Sequence, residues 1–375
     1  MSVLGGYGGY GGYGGYGGYG GYGGYGGYGG YGGYGGYGGY GGYGGALSDP
    51  SPAEALTHSR GALVGPFAGA TLPLTLPTPL DKPDRLAEWA AGPRMAICAL
   101  EMLSGLRFDV NQGKAAVTLG FVNLDKKPFK DLTLARLVRP TEKIFTQQLD
   151  LVANYAELRD DRGAEVLTQM NGGGPFWASI IGLTTHRHKY TLELLDLAMS
   201  LATHVEMRFK HAFACPRPVD LSPQIQPMIP TPGHASWPSG HATEAYMTCA
   251  VLQALIPHGD KYREQLERLA ARIAVNRTVA GLHYPVDSAV GRLLGTSLAE
   301  FFIARSTGQK VHERGFAGPK FHGLKDAVID FDPRVSMTDN KSGYYEYSSA
   351  ASTIAASPLL EFMWTKAAKE WQLLK

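Results

Sequence analysis

WPSGHATEAYMTCAVLQAL, residues 237–255, is the stretch whose reading decides the architecture. Ser239 carries a short oxygen side chain directly before a mostly apolar run, Ala242 to Leu255, so the spacing predicts a helix with Ser239 at its N-cap and Glu244 near its first turn. The free backbone N–H groups at such a start favour an anion.

Upstream, Lys210 and Arg217 are separated by six residues, and Pro218 follows. Proline disfavours helical geometry in the residue before it, so a helix rich in Met207, Phe209 and Phe213 is expected to stop at Arg217, with both cations near one helix end. Downstream, Arg277 lies six residues before His283, and Asp287 lies four after it. Across one helical turn the Asp287 carboxylate can accept the His283 Nδ1–H, which leaves Nε2 with its lone pair. A nitrogen lone pair facing an anion pocket can attack phosphorus or coordinate a metal oxyanion. A second histidine, His241, can move protons near neutral pH.

The ordered set Lys-x6-Arg-Pro, Pro-Ser-Gly-His and Arg-x5-His-x3-Asp resembles the superfamily shared by type 2 phosphatidic acid phosphatases, bacterial class A acid phosphatases and vanadium-dependent haloperoxidases. The resemblance covers residues 208–293. It implies that Lys210, Arg217 and Arg277 bind the equatorial oxygens of phosphate or vanadate, with further hydrogen bonds from Ser239 and Gly240. His283 would be the phosphorylated nucleophile of a phosphatase or the vanadium ligand of a haloperoxidase. His241 would act as general acid and base, and Asp287 would orient His283. One position departs from the common pattern, since Asn276 stands where these families commonly have serine. His234, seven residues before His241, matches the algal bromoperoxidases, which also have histidine there, and adds His234 to the candidate catalytic set.

The fold expected from this resemblance is all-α, a helix bundle of the acid phosphatase and vanadium haloperoxidase type. Coarse helices are predicted at about 85–103, 132–170, 176–214, 241–256, 262–275, 285–305 and 358–374. A short strand is expected at 117–124, and the segment 307–357 reads as irregular. The expected organisation is a disordered Gly-Gly-Tyr tail at 1–46, a Pro-rich linker at 47–83 and one helical catalytic domain at 84–375. From Gly5 to Gly45 the chain holds 28 glycines and 13 tyrosines with no aliphatic residue, a composition whose backbone entropy opposes folding.

The first functional expectation is a vanadium-dependent haloperoxidase-like enzyme that oxidises halide, bromide above all, with hydrogen peroxide at a histidine-bound vanadate. The alternatives are a soluble acid phosphatase of the type 2 phosphatidic acid phosphatase superfamily, working through a phosphohistidine on a phosphomonoester without a cofactor, and a non-enzymatic scaffold with a Tyr-rich adhesive tail. Lys and Arg number 35 against 33 Asp and Glu, so nothing global points to nucleic acid. No apolar span of membrane length and no export signal is legible, so a soluble, cytoplasmic chain is expected, compatible with a homo-oligomer. Cys98, Cys215 and Cys249 are odd in number and not at metal spacing, which argues against a disulfide framework.

Overall fold

A computed structural model describes residues 50–66, 69, 76–122, 131–170 and 173–372. The Gly-Gly-Tyr tract lies outside the described residues. The chain divides into two compact units between Ile97 and Cys98. In the first, helix α1 (Pro50–Leu63) occupies part of the expected linker, and helix α2 (Ala91–Leu103) begins. Arg94 there donates to the carbonyls of Leu86 and Trp89 at 2.6 and 2.7 Å, closing the turn between Asp84 and the helix.

The second unit opens with an antiparallel meander of β1 (Leu106–Asn111), β2 (Ala116–Val122) and β3 (Asp131–Val138). A helical region follows: α3 (Glu142–Tyr155), α4 (Arg159–Gln169), α5 (Gly174–Ile181), the long α6 (Lys189–Phe213), one turn α7 (Pro218–Leu221), α8 (Gly240–Leu255), α9 (Arg263–Val279) and α10 (Pro285–Thr307). The chain then returns to the sheet as β4 (Lys310–Ala317), parallel to β3, and β5 (Tyr345–Thr353), antiparallel to β4, before α11 (Pro358–Glu370).

The expectation of an all-α bundle is therefore corrected: among the described residues the helices are joined by a five-stranded mixed sheet in the order β1-β2-β3-β4-β5. The expected helix at 132–170 begins with strand β3, and 307–357 holds two strands rather than irregular chain. The physical reason is burial. In β2 all seven positions are partly or wholly covered, so the alternation that marks a half-exposed strand is missing. The β3–β4 pairing joins Ala135 to Arg314 and Val138 to Ala317, so no local pattern announces it.

Helix α8 is enclosed by α6, α9 and α10, which makes it the axis of the helical layer. It comes closest to α10, where glycines replace side chains. A Cβ on Gly291 would lie 2.9 Å from the Ser239 carbonyl oxygen, and one on Gly295 would fall inside contact distance of the Thr243 oxygen. This close approach holds the start of α8 against the start of α10. Helix α10 also packs on β4 and β3. Trp237, fully buried, meets Phe213 of α6 edge-on at 4.7 Å and Phe316 of β4 at 6.2 Å, so the sheet braces the loop that precedes α8. The Trp237–Pro238 peptide is cis. Among the described residues no helix is long and apolar enough to cross a membrane.

Gly295→Ala should lower the unfolding free energy by about 1–3 kcal/mol, because the facing atom is backbone and cannot turn aside. Gly163→Ala, inside α4 with its nearest neighbour Met228 Cε at an ordinary 3.6 Å, should instead stabilise by roughly 0.5–1 kcal/mol. Urea unfolding of both variants measures the pair.

Candidate active site

Four chain segments end at one buried point. Lys210 sits in the last turn of α6, Arg217 immediately precedes α7, Ser239 caps α8, and Arg277 lies in the last turn of α9. His283 and Asp287 flank the start of α10. Lys210, Arg217, Ser239, Gly240, His241, Arg277, His283 and Asp287 are all buried.

Local bonds explain why each segment stops where it does. Ala214 at the end of α6 adopts a left-handed conformation, and its N–H reaches the Lys210 carbonyl. The Arg217 N–H donates to Asp220 Oδ2 at 2.7 Å and so starts α7. Ser239 Oγ accepts from the Ala242 N–H at 3.4 Å as the predicted N-cap, while its own N–H donates to the Asp287 carbonyl at 3.1 Å. That last bond ties the start of α8 to the histidine–aspartate segment.

His283 is defined on both ring nitrogens. Its Nδ1 lies 2.7 Å from Asp287 Oδ2, and Arg217 Nη1 approaches its Nε2 at 3.0 Å. A guanidinium can only donate, so Nε2 is the lone-pair nitrogen and the proton resides on Nδ1, donated to Asp287. The same carboxylate oxygen accepts from Ser236 Oγ at 2.5 Å and from the Tyr284 N–H at 3.2 Å. Ser236 is a member of this cluster that the sequence did not signal. Burial pushes the Asp287 carboxyl up to about 6, which leaves it ionised at neutral pH. Burial, and then the charges of Arg217 and Lys210, hold His283 well below the ordinary histidine range, so the ring is neutral.

The cations rest on carbonyls. Lys210 Nζ donates to the carbonyls of Ala235 at 3.3 Å, Ser236 at 3.0 Å and Pro238. Arg217 donates to the Leu282 carbonyl at 3.0 Å and through Nε to the His234 carbonyl at 3.1 Å. His234 Nδ1 also lies 3.1 Å from Arg217 Nη2, which brings His234 into the site as a neighbour of that guanidinium. Arg277, with 0 % exposure, donates through Nη2 to the Val166 carbonyl and Gln169 Oε1, both at 3.2 Å, while its Nε and Nη1 have no hydrogen-bond partner. Burial lowers Lys210 to about 8 and the two arginines to about 10, and all three are predominantly charged at neutral pH.

His241 stands beside this cluster with Nε2 donating to the Gln169 carbonyl at 3.1 Å. Burial first and Arg277 second hold it well below its ordinary value. An anion bound among the cations would offset that repulsion and let the ring take up a proton.

Two carboxyls went unread as site residues. Glu206, one turn before Lys210, is fully buried with neither oxygen hydrogen-bonded, and a Cβ on Gly240 would lie 2.5 Å from its Oε1. Glycine in the Ser-Gly-His motif thus leaves room for this carboxyl. Burial and then Glu244 raise Glu206 well above its usual range. Glu244, which accepts from Thr203 Oγ1 at 3.3 Å, is pushed up to about 7 by burial and lines a cavity of about 20 Å³ together with His241. The one available signal was Glu206 lying four residues before Lys210 on a helix.

Several further side chains serve structure. His188 stacks on Trp371 at 4.2 Å, the Tyr345 hydroxyl donates to the Ala289 carbonyl, and Cys215 is buried, its thiol pushed up to about 12. Cys215 and Cys249 form no disulfide, and among the described residues no cluster of three His, Cys, Asp or Glu could hold a metal ion.

The Glu244 carboxyl has a folded value near 7 against 4.5 as its ordinary value, so its ionisation costs stability as pH rises through that window. Glu244→Gln removes the cost. Its unfolding free energy relative to the parent should grow between about pH 4.5 and 7, by about 1–3 kcal/mol, and stay level above pH 8, as read by urea unfolding across pH.

Residues 193–308 match the sequence profile of the PAP2 superfamily, and that span contains all eight of the buried site residues together with His234. Among solved structures, a transmembrane PAP2-type phosphatidylglycerolphosphate phosphatase from Bacillus subtilis is 17% identical, with 42% of this chain and 84% of that one covered at a TM-score of 0.35, a likeness too low to carry argument. No curated protein matches. The similarity to the PAP2 superfamily thus lies in residues 193–308, the segment that carries the buried cluster.

Proposed function

We propose that the chain is a phosphatase that binds a phosphomonoester dianion among Lys210, Arg217 and Arg277 and transfers its phosphoryl group to His283 Nε2. The observation that carries this reading is the His283 tautomer, with Nδ1–H on an ionised Asp287 and the Nε2 lone pair directed at the Arg217 guanidinium. Charge supports it as well. Three buried cations accompany Asp287, predominantly ionised at neutral pH, while burial pushes Glu206 well above its usual range and Glu244 up to about 7. A dianion supplies the missing negative charge.

In this reading Nε2 attacks phosphorus, an N–P bond forms as the ester P–O bond breaks, and the leaving oxygen takes the proton that His241 acquires with the bound anion. The positive charge that develops on His283 is balanced by Asp287. Water then attacks phosphorus, His241 accepts its proton, and the N–P bond breaks to release phosphate. Arg217, Lys210 and Arg277 stabilise the equatorial oxygens in both steps, with the N–H groups at the start of α8 beside them.

A second reading, vanadate-dependent oxidation of halide by hydrogen peroxide, is favoured by one residue, His234, bonded to Arg217. The donors that suit a phosphoryl group also suit vanadate: His283 Nε2 would hold it, and the unpartnered Arg277 N–H groups would meet its oxygens. Vanadate would supply Lewis-acid activation of peroxide, and His241 would take the peroxide proton.

Hydrolysis of p-nitrophenyl phosphate without vanadate, run beside halogenation of monochlorodimedone with orthovanadate, bromide and peroxide, separates the two readings. His283→Ala should lower phosphatase turnover by on the order of 10³-fold or more, whereas His241→Ala should retain orthovanadate binding and lose about 10²–10⁴-fold in turnover. Phosphatase activity surviving in His283→Ala would contradict the assignment.

A further inference from the structure

Gln169, the last residue of α4 and 1% exposed, touches two members of the site at once. Its backbone carbonyl accepts His241 Nε2–H at 3.1 Å. Its side-chain oxygen accepts from Asn276 Nδ2 at 3.0 Å and from Arg277 Nη2 at 3.2 Å.

The orientation of this amide follows from its neighbours. Arg277 can only donate. Asn276 is itself oriented, because its oxygen accepts from Arg162 Nη1 at 3.2 Å and its nitrogen donates to Glu165 Oε2 at 3.0 Å. Glu165 is in turn clamped by Arg272 through bonds of 2.7 and 2.6 Å. Two fixed donors therefore claim Gln169 Oε1, and the amide cannot flip without setting donor against donor. Its Nε2 is left buried with no hydrogen-bond partner, beside Arg277, whose Nε and Nη1 also have none. Each buried unsatisfied donor is costly, and here two side chains in direct contact, Gln169 Oε1 with Arg277 Nη2, both carry them. Their complement is a ligand that only accepts and offers several oxygens.

We propose that Gln169 is an additional oxyanion ligand of this pocket, its Nε2–H₂ donating to an oxygen of the bound tetrahedral anion beside Arg277, with Asn276 as the residue that fixes the donating orientation. The inference rests on the oxyanion-binding reading of the same site. It gives the pocket a neutral donor on α4, an element outside the motifs carried by α6, α8, α9 and α10. It also makes Asn276 a positioning residue that acts through Gln169.

The test is titration calorimetry of the full chain with inorganic phosphate and with orthovanadate at pH 7.5. Gln169→Glu keeps the shape and an oxygen for Asn276 and Arg277 but turns the donor into a carboxylate oxygen facing the anion. Affinity should fall by about 100-fold or more. Unchanged affinity in the folded variant overturns the proposal. Asn276→Leu leaves Gln169 intact but removes its orienting partner, and should weaken binding by roughly 3- to 10-fold. This arm decides the matter if Gln169→Glu lacks a cooperative thermal transition, and parent affinity in it again overturns the proposal. A parent chain that binds neither anion would overturn the oxyanion reading, and the Gln169 role with it. Binding by the parent with unchanged affinity in the Gln169 variant would overturn the Gln169 role alone.

Discussion

Burying three cations within one cluster is the constraint on which the rest of this structure depends. Removing an ammonium or guanidinium from water costs several kcal/mol even after relaxation, so each charge must find oxygen atoms nearby. Lys210 takes three carbonyls of the 235–238 loop, Arg217 takes those of Leu282 and His234, and Arg277 takes those of Val166 and the Gln169 side chain. These bonds fix where α6 ends, how the cis-proline loop enters α8 and how the chain turns from α9 into α10. The same burial raises Glu206 well above the usual carboxyl range and keeps His283 unprotonated, which leaves the cluster favouring an anion.

The surrounding fold supplies rigidity to that cluster. Gly291 and Gly295 let α10 approach α8 until the Ser239 N–H bonds the Asp287 carbonyl, which sets the histidine–aspartate pair against the helix start. Trp237, wedged between Phe213 and Phe316, transmits the position of the sheet to the loop that carries the Lys210 acceptors. The network from Arg272 through Glu165 and Asn276 to Gln169 does the same for α4. Loop, sheet and helices thus converge on positions set by polar bonds rather than by apolar packing alone.

Much of the site was legible in the sequence because its chemistry is local. Lys210 and Arg217 bracket a helix end, Ser239 is a cap, and the four-residue spacing of His283 and Asp287 is one helical turn, all of which short-range geometry dictates. Ser236, Gln169 and Glu206 escaped notice, since they join the site through contacts across 51, 108 or 72 positions, or, for Glu206, by packing against Gly240. The sheet was missed for a similar reason. Val117 to Leu124 was read as a strand, but β3 was absorbed into a helix, and its partner β4 lies beyond the whole helical region. The helices at 285–305 and 358–374 were closely anticipated, each opening on a proline that suits a first helical turn.

The central claim is that this buried cluster is an oxyanion site organised on His283 Nε2. Crystals of the full chain soaked with orthovanadate test it most directly. The account predicts a single vanadate bonded to His283 Nε2, its oxygens met by Lys210, Arg217 and Arg277, with the Arg217–Nε2 contact replaced. Vanadate elsewhere on the surface at saturating concentration, with Arg217 still on Nε2, would contradict it.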